Sequence, residues 1–145
     1  MDDWHPEALA RIAGRLGIAF TDHAWPRSRI FRTAGGPDIH VVDWGGQGPP
    51  AVLLHGGSLT AHTWDYVAIA LRADFRLVAL DMRGHGGSGW SDDYSIDSYV
   101  TDLVAVIDGL EIERHASSVC HWAERWLASS RCAIRTAPKA WRWSM

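Results

Sequence analysis

Cysteine is scarce in this chain, with two among 145 residues (Cys120 and Cys132), which excludes a small fold stapled by disulfides. No apolar run approaches the roughly 18 residues of a membrane span. The amino terminus (Met1, Asp2, Asp3, Glu7) lacks the basic region and apolar stretch of a secretory signal, so the chain reads as cytoplasmic with no membrane partner. An excess of one charge is missing too: the formal net charge of -3 offers no general attraction for nucleic acid. Neither glycine-rich loop ends in Gly-Lys-Ser/Thr, which excludes a phosphate-binding P-loop. No closely spaced set of His, Cys and carboxylate resembles a zinc site, so neither a metal nor a cofactor is expected. What remains is a globular composition, 47% hydrophobic and 21% charged, at a length suited to one domain.

Three stretches follow one another: a helix and lead-in over residues 1–27, a patterned domain over 28–116 and an atypical tail over 117–145. In the first, Leu9, Ile12, Ala13 and Leu16 recur at helical spacing and predict a short amphipathic helix over 6–20. In the second, residues 28–33 and 39–44 read as strands joined across Gly35-Gly36-Pro37-Asp38, a hairpin. Residues 51–54 form a wholly apolar run of the kind found in strands covered on both faces, followed by a helical pattern over 64–73. The cycle repeats with a buried strand over 75–80, a long loop over 81–94 and a helix over 97–110. That helix is capped by Ser95 or Asp97 and has Tyr99, Leu103, Val106, Ile107 and Leu110 on one face. The expected class is α/β: an amino-terminal hairpin followed by parallel βαβ units.

Ligands in open parallel sheets sit at the carboxyl ends of strands, and two loops occupy such places. The first is His55-Gly56-Gly57-Ser58, where glycines let backbone N–H groups face a developing negative charge. Taken alone, it also fits a plain tight turn. The second is Asp81-Met82-Arg83-Gly84-His85-Gly86-Gly87-Ser88-Gly89. Two such loops in this order, together with Trp64 and the helix that follows, resemble the amino-terminal half of the α/β-hydrolase family over residues 28–116. The resemblance implies a partial α/β-hydrolase-type sheet. It also implies that His55, Gly56, Gly57 and Ser58 are the oxyanion loop, with Gly57 N–H the oxyanion donor. Asp81, Arg83, Gly84, His85, Gly86 and Ser88 then mark the family's second loop. His55 and His85 are expected to hold these turns by hydrogen bonds, because the family takes its catalytic histidine from late in the chain.

The family's next strand leads into Gly-x-Ser-x-Gly, the strained turn that presents a nucleophilic serine. Here the sequence reads Ser117-Ser118-Val119-Cys120-His121-Trp122-Ala123, and none of Ser117, Ser118 or Cys120 has glycine two residues away. No nucleophile, acid or base is identifiable. The tail holds four of the nine tryptophans (Trp122, Trp126, Trp141, Trp143) and both cysteines. In the adjacent reading frame the codons for Cys120 to Ala123 give Ser or Pro, then Leu, then Gly. Suitable synonymous codons on either side complete a nucleophile elbow, so a frameshift would account for the tail.

The expected function is therefore that of a truncated, inactive α/β-hydrolase-family protein whose intact relative hydrolyses an ester or related acyl compound by a serine mechanism. Its partner would be a small-molecule substrate. Relatives with an aspartate nucleophile, acting on epoxides or haloalkanes, share both loops and stay open as an alternative. A second alternative is a non-catalytic binding module that self-associates through an open sheet edge. A thiol enzyme built on Cys120 and His121 ranks last, since chain neighbours rarely orient as nucleophile and base. A sheet that stops at its third or fourth parallel strand is also expected to leave its central apolar face partly uncovered.

Overall fold

A computed structural model describes residues 6–19, 25–112 and 117–119. Helix α1 (Pro6–Arg15) leads to strands β1 (Arg27–Phe31), β2 (Ile39–Gly45) and β3 (Pro50–Leu54). A single 3₁₀ turn (Ala61–Trp64) then runs into helix α2 (Asp65–Leu71), strand β4 (Arg76–Leu80), helix α3 (Ile96–Gly109) and strand β5 (Ser117–Val119). The strands form one five-stranded sheet in the order β1-β2-β4-β3-β5. The hairpin β1–β2 is antiparallel, as is β2 against β4, whereas β3 is parallel to both β4 and β5. An amino-terminal hairpin feeding parallel βαβ units is thus the architecture.

The apolar runs of the sequence divide between the two faces by simple alternation. Val52, Leu54, Val78, Leu80, Ile39 and Val41 point to one face and pack under Leu103, Val106, Ile107 and Leu110 of α3. Leu53, Leu77, Ala79, Val42 and Trp44 point to the other, where Leu9 and Ala13 of α1 and Ala68 and Ile69 of α2 cover them. The expectation of a partly uncovered central face is overturned for the described strands. Helices lie on both sides, and even the most exposed of these residues, Leu54, is only 9% accessible. Helix α1 stops at Arg15, short of the expected residue 20; Gly17 adopts a φ of 68°, a left-handed terminator. The helix expected over 64–73 divides into the 3₁₀ turn and α2. At α3 the Ser95 side chain accepts the Ser98 N–H, which settles the cap. Among the described residues no helix is long and apolar enough to cross a membrane.

The loop between β2 and β3 owes its glycines to close backbone approach. A Cβ at Gly48 would stand 1.7 Å from the Asp74 carbonyl oxygen, and one at Gly46 2.0 Å from that of Phe75. This contact seats the loop against the turn that precedes β4. Gly14, by contrast, lies in α1 with nothing within 4 Å of where its Cβ would be. Two substitutions of the same kind therefore have opposite outcomes: in urea unfolding, Gly48→Ala lowers stability by about 1–3 kcal/mol through overpacking, and Gly14→Ala raises it by about 0.5–1 kcal/mol through helix propensity.

Candidate functional site

Because β3 and β4 are adjacent and parallel, with Leu54 opposite Leu80, their carboxyl ends release His55 and Asp81 side by side. The two loops singled out in the sequence are therefore neighbours in space. Asp81 is 2% exposed and its carboxylate is the hub. Oδ1 accepts the Ala61 N–H at 2.6 Å, and Oδ2 accepts the Gly87 N–H at 2.9 Å and the His40 Nδ1 at 2.8 Å. Burial pushes its pKa up, but the His40 bond and the two backbone donors outweigh that and hold it below the ordinary carboxylate value. One side chain thus ties together β2, the start of the 3₁₀ turn and the second loop. A Cβ on Gly86, which has a φ of 51°, would fall 2.2 Å from this carboxylate, so glycine is required there.

Ser88 adds a second tie. Its Oγ donates to the Asp81 carbonyl at 2.6 Å and accepts the His40 N–H at 2.8 Å. The two histidines bridge the loops in both directions. His55, wholly buried, accepts the Met82 N–H on Nε2 at 3.0 Å and pairs Nδ1 with the Gly56 carbonyl at 2.8 Å. His85 accepts the Ser58 N–H on Nε2 at 3.3 Å and pairs Nδ1 with the Arg83 carbonyl at 3.0 Å. Burial lowers the His55 pKa, opposed by the bond to Gly56, reinforced by His85 and opposed again by Asp81.

Arg83 turns away from the strand ends and anchors the second loop to α3. Its Nε and Nη2 bind the two oxygens of Asp102 at 2.7 and 2.8 Å, a buried bidentate pair. Nη1 donates to the Asp93 carbonyl at 2.6 Å, and Nη2 also donates to that of Ser98 at 3.1 Å. Asp102 raises the Arg83 pKa above its ordinary value, against the effect of burial. Gly84, at a φ of 75°, passes so close to Tyr94 that a Cβ would meet its ring at 2.8 Å.

Gly57 differs from these structural glycines. It is exposed, and no described atom lies within 4 Å of where its Cβ would be, so packing among the described residues does not demand glycine. The parallel register of β5 on β3, Ala51 with Ser117 and Leu53 with Val119, puts the carboxyl end of β5 at this same end of the sheet. Ser117 and Ser118 are strand residues; Cys120, His121 and the rest of the tail lie outside the described residues. Among the described residues, no three His, Cys, Asp or Glu side chains gather as metal ligands would.

Sequence reasoning missed His40 and Asp102. Both carried a signal. Asp102 falls three residues after Tyr99 and four before Val106, on the face of α3 that packs inward, where a carboxylate needs a cationic partner. His40 interrupts the apolar strand between Ile39 and Val41, and only the fold discloses that its partner is Asp81.

Comparison with known proteins agrees with this geometry. Residues 51–123 match the model of the "Alpha/beta hydrolase family". An esterase of Mycobacterium tuberculosis, Rv0045c, is 40% identical over 68 residues, covering 47% of this chain and 22% of that protein. The bifunctional esterase/perhydrolase DCH of Acinetobacter calcoaceticus is 38% identical over 85 residues, 56% of this chain and 30% of that one. The crystal structure of epoxide hydrolase VrEH1 from Vigna radiata superposes with a TM-score of 0.60 at 31% identity, covering 66% of this chain and 32% of its own. The chain thus spans less than a third of the length of each of these three relatives.

Two outcomes follow from the buried charges. Asp102→Ala strands the Arg83 guanidinium and is expected to lower the unfolding free energy by about 3–5 kcal/mol in urea titrations. The pH dependence follows from His55, whose pKa is lower folded than unfolded, so the unfolded chain binds the proton more readily. Its contribution is complete above the unfolded value of about 6.5 and is lost as pH falls through the folded value. The urea midpoint is expected to be lower at pH 5 than at pH 7.5, with Asp81 adding a further loss below about pH 4.

Proposed function

Because the chain belongs to the alpha/beta hydrolase family, we propose that its two bridged loops are the receiving half of a serine-type ester-hydrolysing site, with the Gly57 N–H as oxyanion donor. The observation that carries this reading is the exposed Gly57 backbone at the carboxyl end of β3, with no described atom within 4 Å of where its Cβ would be and the carboxyl end of β5 at the same end of the sheet. In such a site a serine gives its proton to a histidine base from late in the intact relative's chain and attacks the ester carbonyl carbon. The carbonyl oxygen takes the negative charge and accepts the Gly57 N–H, and collapse of this intermediate breaks the ester C–O bond and releases the alcohol with that proton. One donor of this kind is worth on the order of 10²–10³ in rate.

At the place for that serine this chain carries Cys120-His121-Trp122-Ala123, and nowhere in the sequence does Gly-x-Ser-x-Gly occur. A sharp turn needs small neighbours, which Trp122 is not. The chain as it stands is therefore read as inactive, with residues 117–145 as a frameshifted replacement of the hydrolase sequence. A second reading, descent from an aspartate-nucleophile epoxide hydrolase, is supported by the likeness to VrEH1.

Purified chain is expected to hydrolyse an aryl acetate no faster than buffer. Turnover that disappears in Ser118→Ala or Cys120→Ala would overturn the inactive reading, and a well-defined dimer without turnover would favour a binding module instead. The coding DNA from Arg114 onward supplies the independent check: the adjacent frame should spell Gly-x-Ser-x-Gly across Cys120 to Ala123 and stay open for about a hundred residues or more. A stop codon close behind would make the present tail genuine.

A further inference from the structure

The two histidines do more than fasten loops, because of which peptide groups they hold. A peptide unit is planar and trans, so its carbonyl and its N–H point in opposite directions. The Gly56 carbonyl and the Gly57 N–H belong to one such unit. His55 Nδ1 holds that carbonyl at 2.8 Å, which directs the Gly57 N–H away from the imidazole. The next unit contains the Ser58 N–H, and His85 Nε2 holds it at 3.3 Å. Each peptide plane that flanks the Gly57 Cα thus has one ring as a partner, and the Leu59 N–H also donates to the Gly56 carbonyl at 3.3 Å, closing the turn from within. Ser58 itself is held at a φ of 63°, a left-handed conformation that a side chain disfavours.

The bonds also dictate where the ring protons sit. A main-chain N–H donates to each Nε2 and a carbonyl faces each Nδ1, so each ring must carry its proton on Nδ1 and keep Nε2 as a bare acceptor. A proton on either Nε2 would set donor against donor. The rings lie 5.0 Å apart between centroids, and His85 adds to the lowering of the His55 pKa. Asp81 is the charged group that acts on His55 in the opposite sense, and its carboxylate is already occupied by His40, Ala61 and Gly87.

We propose that His55 and His85 are a reciprocal pair of positioning residues that aim the Gly57 N–H, and that they do so only while both rings are uncharged. The functional meaning rests on Gly57 as an oxyanion donor; the pair itself does not.

Nuclear magnetic resonance of the ¹⁵N-labelled full chain tests it without any substrate. At neutral pH both rings are expected in the neutral form with the proton on Nδ1. On acidification, the Gly57 and Ser58 amide signals are expected to move together with the ring signals. His85→Leu, which removes the acceptor, should displace both amides and speed Ser58 amide exchange about fivefold, the loss of one ordinary hydrogen bond. His85→Gln, whose side-chain oxygen can accept the same N–H, should restore them. A charged ring or an Nε2–H form at neutral pH in the unmodified chain overturns the proposal, and that measurement stands even where a variant fails to fold. So do Gly57 and Ser58 amides that ignore His85→Leu. Failure of the ester-site reading would leave every one of these signals unchanged.

Discussion

A carboxylate buried at the end of a strand has to be surrounded by donors, and the arrangement around Asp81 is the answer to that demand. Desolvation alone would neutralise it. Three donors prevent this, and they come from β2, from the start of the 3₁₀ turn and from the second loop. Satisfying one charge therefore fixes the relative positions of three segments that are distant in sequence. Gly86 is the cost imposed on the chain, since any side chain there would occupy the carboxylate's own space.

Around that centre the second loop is held from opposite sides. His55 and His85 connect it to the first loop through ring nitrogens and main-chain groups, and Arg83 connects it to α3 with a charged pair. The guanidinium and its carboxylate are turned away under α3, where their fields are mutually compensated.

Much of this was legible in the chain. Unbroken apolar runs at 51–54 and 77–80 suit strands covered on both faces, and helices cover both. The loops at 55–58 and 81–89 stood out because both are glycine-rich and follow the carboxyl ends of buried strands. What could not be read was partnership. His40 and Asp102 are ordinary residue types in ordinary elements, and their importance lies in contacts 41 and 19 positions away along the chain. The coverage of the sheet was underestimated for a related reason: α1 comes before every strand, and nothing in its own pattern reveals that Leu9 and Ala13 close the face beneath Trp44 and Leu53. The family match reaches residue 123, past the expected limit at 116, and so takes in the place where the elbow is missing.

The parallel seat of β5 against β3 has one more consequence. The loop bonds described around Asp81, His55 and His85 involve only segments that precede α3, and the Arg83 anchor reaches no further than Asp102. These bonds between the two loops are complete before the chain arrives at Ser117. A rewritten sequence after Val119 therefore takes away no donor or acceptor from these bonds, and the joined loops are a self-contained unit of the chain.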